Sequence, residues 1–357
     1  MYMQQRCKYN NINITQCASF PTLCIARAFP VHLEPQGKPA DCTRKDLVQK
    51  NLPTSLTLGN HMSVELKHKI NQLNEILSLA SIADQYDVIL IDVWGVTHNG
   101  VKPFPKAIGA YETLKAMGKT LVILSNAPRL PGITRERLSA MGIDDTLFDD
   151  VMTSGLECHL DLRDRPNAFY KGLGDKLFHI GPERDRTVFE GLPYTQVDSV
   201  DDADFLLITG TDGWEINADA YKDRLTRALT RNLPAVCANA DKLVQNGDRL
   251  VICAGAVADA YRIMGATSIY THGKPNTNIF KAAHDLANTK RQEDVPLSRM
   301  LMLGDSLATD IRGSNLYGID CVFTQSGVHA GVATTSLPEL FSQYQAVPTY
   351  VMIDGIA

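Results

Sequence analysis

One stretch constrains the fold of this chain more than any other: Val88 to Gly100, VILIDVWGVTHNG. Aliphatic residues run without a break into a single carboxylate, Asp92, and then into a glycine turn. An apolar run of this kind reads as a strand buried on both faces, as strands are inside parallel sheets. Such a strand delivers its next polar residue to the carboxyl edge of the sheet, where open α/β folds hold their ligands. Taken alone, an Asp in this place starts a turn as readily as it does chemistry.

The segments that follow repeat the pattern. A helix is predicted over Pro105 to Met117, a buried strand over Thr120 to Leu124 ending in Ser125-Asn126, a helix over Thr134 to Met141 and a short strand over Val151 to Ser154. The βαβα alternation implies a mostly parallel, doubly wound sheet covered on both faces. Between Ser154 and Gly247 a second set follows: strands at Leu177–Ile180, Phe205–Thr209 and Ala235–Ala238 with a helix over Ala218–Thr230. These read as an inserted α/β domain with turn signals of its own. The first fold is then expected to resume with a helix from Ala254, a strand at Ser268–Thr271, a helix from Thr277, and strands at Met300–Leu303 and Cys321–Thr324. The domain reading is therefore a core of residues 62–153 and 248–357 with residues 154–247 inserted. Ahead of it, residues 1–61 lack periodicity and read as a disordered extension. An excess of basic residues there leaves organelle targeting as the alternative to a cytoplasmic protein. An amphipathic helix is expected from Ser63 to Ala80, capped by Ser63.

Composition adds bounds. A net charge of −5 with a pI near 6.0 supplies no field to attract nucleic acid polymers or anionic membranes. No segment is apolar enough to span a bilayer. The 8 cysteines form no C-x-x-C pair and no zinc-like cluster, and read as reduced thiols, with Cys237 and Cys253 buried.

Four predicted strand ends line up on one edge: Asp92, Ser125-Asn126, Gly273-Lys274-Pro275, and Gly304-Asp305 with Asp310 five residues on. Singly, Ser125-Asn126 is an ordinary turn, Gly-Lys-Pro a solvated loop, and the acidic pair a helix cap. Together they make a coherent phosphoryl-transfer set. Asp92 suits a nucleophile that would form an aspartyl phosphate. Asp305 beside it needs a cation, and carboxylate oxygens with a phosphate suit Mg²⁺. Ser125 donates a hydroxyl, Lys274 brings a positive point charge, and Asp310 would orient Lys274 or a metal-bound water.

In DVWGV (from Asp92), LSN (Leu124–Asn126), GKP (Gly273–Pro275) and GDSLATD (Gly304–Asp310) the chain resembles the haloacid dehalogenase superfamily. The long insertion, with CANAD at Cys237–Asp241, resembles the class IIA subgroup of para-nitrophenyl phosphatase-like and nucleotide phosphatase-like enzymes. The resemblance implies a Rossmann-like core with an α/β cap, Mg²⁺ held by Asp92, the Trp94 backbone carbonyl and Asp305, and phosphate held by Ser125, Asn126 and Lys274. It further implies Asp310 and Ser306 supporting the site, cap contacts from Asn239, Asp241 and Arg184, a small phosphorylated metabolite as substrate, and a homodimer as one possible assembly.

One position departs from the pattern. Most phosphatases of the superfamily carry a second Asp two residues after the nucleophile as general acid and base, and here that position is Trp94. An indole N–H donates a hydrogen bond but gives up no proton near neutral pH. The expected outcomes are a slow phosphatase, an enzyme whose leaving group needs no proton or takes one from the cap or substrate, a phosphate-binding protein with little turnover, or cleavage of a different bond. His98 is the nearest replacement donor in sequence, though it reads as a surface loop residue. Arg184 and Arg186 read as surface charges, with recognition of a second anionic group on the substrate as the alternative. Met117-Gly118-Lys119-Thr120 imitates the end of a P-loop, but Thr113 stands where the first glycine belongs.

Overall fold

The computed structural model describes residues 74–353 apart from 214, 216, 247 and 248. In chain order the elements begin with β1 (Asn74–Glu75), β2 (Val88–Ile91), α1 (Pro105–Ala116), β3 (Thr120–Ser125), α2 (Pro131–Ala140), β4 (Asp150–Thr153) and α3 (Ser154–Asp164). Next come α4 (Ala168–Lys171), β5 (Lys176–Ile180), β6 (Thr195–Gln196), β7 (Phe205–Ile208), α5 (Lys222–Thr230) and β8 (Ala235–Cys237). A hairpin, β9 (Leu243–Asn246) and β10 (Arg249–Ile252), leads to α6 (Ala254–Ile263) and β11 (Ile269–Thr271). The chain closes with α7 (Thr277–Arg291), β12 (Met300–Gly304), α8 (Arg312–Tyr317), β13 (Asp320–Thr324), α9 (Leu337–Tyr344) and β14 (Tyr350–Met352).

Seven strands form one sheet in the order β1-β14-β13-β12-β2-β3-β4, and every pairing in it is parallel. The alternation of side chains along these strands builds two cores. Ile89, Ile91, Leu121, Ile123, Leu301 and Leu303 face one way, against Ala107, Tyr111 and Leu114 of α1. Val88, Leu90, Val122, Leu124, Met300 and Met302 face the other, against Ile279, Phe280 and Ala283 of α7 and Phe341 of α9. This is why the run into Asp92 has no polar face: β2 is central and both of its sides are covered. A second parallel sheet, β11-β8-β7-β5-β6, is likewise packed on both faces, by α5 and α6 on one and by α3 and α4 on the other.

The α/β architecture predicted from sequence is therefore present, with three differences. The strand at residues 269–271 pairs with β8, and Val257 and Tyr261 of α6 pack into the second sheet's core, so this stretch belongs to the insertion rather than to the resumed first fold. Hydrophobic pattern alone could not assign it, because strands buried in either sheet read alike. The helix expected over 63–80 lies partly outside the described residues. Where it is described, Asn74–Glu75 is an edge strand beside Tyr350–Val351 and Leu79–Ser81 a single tight turn. Leu77 is exposed, so the apolar spacing did not mark one helical face. Cys253 is only partly buried, unlike Cys237. The extension 1–61 lies outside the described residues. None of the described helices is long and apolar enough to cross a membrane.

Candidate active site

The parallel order of the first sheet brings its carboxyl ends together. Ile91 of β2 is in register with Leu303 of β12 and Ile123 of β3, so Asp92, Asp305 and Ser125 emerge side by side. The Asp92 backbone N–H donates to Leu303 O at 3.0 Å, extending the ladder to the site itself. Lys274 reaches the same place from elsewhere. It sits in the connection leading out of β11, from the second sheet back toward α7, and not at a strand end of the first sheet as expected.

Lys274 is the hub. Its Nζ lies 2.6 Å from Asp92 Oδ1, 2.7 Å from Asp310 Oδ1 and 2.7 Å from the Leu124 carbonyl, and the residue is 1% exposed. Its backbone is fixed by Asn126, whose Oδ1 accepts from Lys274 N at 2.7 Å and whose Nδ2 donates to Lys274 O at 3.1 Å. The same Nδ2 donates to Asp241 Oδ1 at 2.9 Å, so one amide ties the end of β3, the Lys274 turn and the loop after β8 together. Burial alone would lower the Lys274 ammonium, but Asp310, Asp92 and Asp241 more than reverse this and raise it.

Asp92, Asp305 and Asp310 bring one oxygen each within 4.8 Å of one another. Burial pushes Asp92 up to about 7, against the pull of Lys274 and with a further push from Asp310. Burial raises Asp305 well above the carboxylate range, with Asp92 and Asp310 adding repulsion, while the Val328 N–H donates to it at 2.7 Å. Asp310 accepts from Ser306 N at 3.0 Å, so Ser306 serves through its backbone. Gly95 explains how the turn fits: it has φ +83°, and a β-carbon there would overlap the Asp305 carboxylate and stand 2.8 Å from Gly327 Cα.

These groups face a small cavity of about 110 Å³, lined among others by Asp92, Trp94, Ser125, Asn126, Asp305 and Lys274. Asn239, Asp241 and Arg184 also line it, so all three cap residues singled out from sequence reach the cavity wall. Asn239 is turned to its own loop, where Oδ1 accepts from Asp241 N at 2.8 Å. Asp241 is partly exposed as a residue but its carboxyl is enclosed, and burial pushes it up to about 6 against the pull of Lys274. Arg186 pairs with Glu183 on the surface at 3.0 Å.

Trp94 lines the cavity with its ring between two neighbours, the Arg137 guanidinium 4.9 Å from the ring centroid and His98 packed edge-on. His98 is not the surface residue expected. It is 1% exposed, its Nδ1 accepts from Gly100 N at 2.9 Å, and burial pushes its pKa down to about 3. A neutral imidazole committed to closing a turn supplies no replacement acid. Two residues that the sequence reading passed over, Arg129 and Asp185, also line the cavity and form a buried pair, Nη2 to Oδ1 at 3.3 Å. The signal for Arg129 was its place four residues beyond Ser125; Asp185, inside an acidic and basic run, gave none.

The comparisons with known proteins agree with this geometry. Residues 89–195 match a haloacid dehalogenase-like hydrolase family model, and residues 271–354 match a second, HAD-hydrolase-like model. A hydrolase of the haloacid dehalogenase-like family from Brucella suis is 30% identical, with a TM-score of 0.70, and the match covers 79% of this chain and 100% of that one. The chain belongs to the haloacid dehalogenase-like hydrolases. A possible sugar phosphatase of the same superfamily from Cytophaga hutchinsonii shares the fold of this hydrolase, at 21% identity and TM-score 0.64 over 78% of this chain and 97% of that one. D-glycerol 3-phosphate phosphatase of Mycobacterium tuberculosis is 23% identical over 276 residues, 76% of this hydrolase and 71% of the relative.

Proposed function

We propose that this hydrolase is a Mg²⁺-dependent phosphatase of a small phosphorylated metabolite, working through a phospho-Asp92 intermediate. One observation carries the reading: a buried carboxylate, Asp92, held by a buried lysine 2.6 Å away, both lining a cavity that Asp305 also lines. Small phosphate esters are what two similar proteins are named for, the glycerol phosphate phosphatase above and a p-nitrophenyl phosphatase from Archaeoglobus fulgidus.

The residues fit a hard divalent cation. Clustered buried carboxylates outnumber the one lysine between them, and burial, with added repulsion from the neighbouring carboxylates, raises Asp92 and Asp305, a penalty that a cation would offset. Asp92, Asp305 and the Trp94 carbonyl would hold it, and when bound it would neutralise these carboxylates and draw charge from the phosphoryl oxygens. Lys274 orients the Asp92 carboxylate and favours its ionised form. Ser125 and the N–H groups following it bind the phosphoryl oxygens. The Asp92 oxygen bonds to phosphorus as the bond from phosphorus to the leaving oxygen breaks. Water then attacks phosphorus, releasing inorganic phosphate and the free carboxylate.

Trp94 leaves proton transfer to the leaving group without its usual agent, and the absence of a positioned acid typically costs about 100- to 10,000-fold in rate. The same residue favours a second reading, a phosphate-ligand-binding or regulatory protein with little turnover. Steady-state assays on a panel of phosphate esters with Mg²⁺ separate the two. Multiple turnovers that vanish in Asp92→Asn support the phosphatase; tight binding of beryllium fluoride with no turnover on any ester supports the binding protein.

A further inference from the structure

A second cleft, of about 610 Å³, adjoins the active-site cavity, and Asp241, Ser306 and Thr309 line both. On one side of it runs the loop that joins β8 to β9, leaving the second sheet. On the other stand the start of α7, the face of α8 and the end of α9, which belong to the first. Small-molecule sites usually enclose about 300–1,000 Å³ within largely apolar walls that carry a few polar groups. The active-site cavity, at about 110 Å³, falls below that range, and the second cleft lies inside it.

The walls have the matching composition. Pro275, Leu316 and Tyr344 line the cleft, and Leu316 is 60% exposed. Arg312 stands one helical turn before Leu316 on α8 and lines the same cleft, so a cation and an apolar surface share one face. Neither an exposed leucine nor a partly exposed arginine means much alone. Here both meet in one cleft of ligand size, and the guanidinium is little used. Its one hydrogen bond runs to Tyr344 O at a long 3.4 Å, and it has no carboxylate partner among the described residues. An arginine carries five N–H donors, so most of these remain for a ligand. The nearby charge has the same sign. Lys242 on the opposite wall pairs with Asp259 at 2.5 Å, but Arg262 takes the same carboxylate, which leaves two cations to one anion. Asp241, the one acidic side chain among the described residues lining the cleft, is turned to the Asn126 amide.

We infer that this cleft is a second ligand site, separate from the phosphate site, for a small organic anion with an apolar body. The anionic group pairs with Arg312, whose planar fork suits a carboxylate, sulfonate or phosphate, and the body lies against Leu316 and Tyr344. Such an occupant touches the loop after β8 and the helices of the first sheet at once. The inference goes beyond the phosphatase reading and does not rest on it.

The test uses the full chain and two fluorescent probes of nearly the same body, 1-anilinonaphthalene-8-sulfonate and the neutral N-phenyl-1-naphthylamine. Titration should show one saturable site that binds the sulfonate about 10- to 100-fold more tightly than the neutral probe, the size of one charge-assisted contact. Arg312→Met should bring that ratio near unity with the melting temperature unchanged, and Arg312→Lys should keep part of the preference. Arg312 lines this cleft and not the active-site cavity, so its effect also locates the probe. Leu316→Glu should weaken the sulfonate at least as much, because the new carboxylate competes for Arg312 and breaks the apolar wall. No saturable site, equal affinity for the two probes in the natural protein, or a preference that Arg312→Met leaves intact overturns the inference. Should Arg312→Met fail to fold, Leu316→Glu decides, since undiminished sulfonate binding in it contradicts the site. These readouts are of binding alone, so they hold whether or not any phosphate ester is turned over, and absence of turnover counts against the phosphatase reading only.

Discussion

Lys274 Nζ stands 2.6 Å from Asp92 Oδ1 although the lysine leaves the second sheet and the aspartate ends a strand of the first. The ion pair therefore joins the two sheets at the point where the proposed chemistry occurs. Replacing Lys274 by Met should abolish phosphatase activity and destabilise the fold by about 3–5 kcal/mol, the usual result of removing one partner of a buried pair. Denaturant midpoints with and without Mg²⁺ check this. A variant as stable as the natural protein would show that the pair does not matter to folding.

Asp305 is expected to behave in the opposite way. Burial and the neighbouring carboxylates raise its pKa, so at neutral pH its ionised form works against the metal-free fold. Asp305→Asn should raise the melting temperature of the metal-free protein and remove the further rise that Mg²⁺ gives the natural one. Thermal melts in chelator and over a Mg²⁺ series read both effects. A variant that still responds to Mg²⁺ would place the cation elsewhere.

The Trp94 substitution makes a kinetic prediction. With no acid at this position, turnover should depend steeply on how easily the leaving group departs as an anion, so p-nitrophenyl phosphate should outrun simple alkyl phosphates by about 100-fold or more. Trp94→Asp should reduce that dependence, with the nearby Arg137 favouring the ionised carboxylate at the new position. A shallow dependence in the natural enzyme would mean that another group supplies the proton.

His98 gives a pH signature. Its pKa in the fold is pushed down to about 3, whereas an unfolded histidine titrates near 6.5, so the unfolded chain binds the extra proton first. The stability it contributes is fully present above about pH 6.5 and is lost as pH falls toward 3, by at most about 5 kcal/mol. His98→Gln should therefore flatten stability against pH in this window, measured by urea midpoints from pH 7 to pH 4. An unchanged slope would show that His98 is not held neutral.

Much of this site was legible in the sequence because strands buried on both faces announce themselves as apolar runs, and their next polar residue falls at the sheet edge. Asp92, Ser125 and Asp305 were found in that way, and the registers of β2, β3 and β12 place them side by side. The motif around Lys274 was visible too, but not its route, since nothing in the three residues Ile269–Thr271 says which sheet they join. His98 was misjudged because a loop between glycines looks solvated until Trp94 is known to pack against it. Asp185 was invisible because the residue it pairs with, Arg129, stands far from it in the sequence.

Phosphorylation of Asp92 during turnover is tested most directly by trapping. The protein should be mixed with excess p-nitrophenyl phosphate and Mg²⁺, quenched in acid, reduced with borohydride and mapped by mass spectrometry. Reduction of an aspartyl phosphate leaves homoserine, which is expected at position 92 alone and absent in Asp92→Asn. Nitrophenol release with aspartate intact at 92, or homoserine at any other aspartate, would rule out a phospho-Asp92 intermediate.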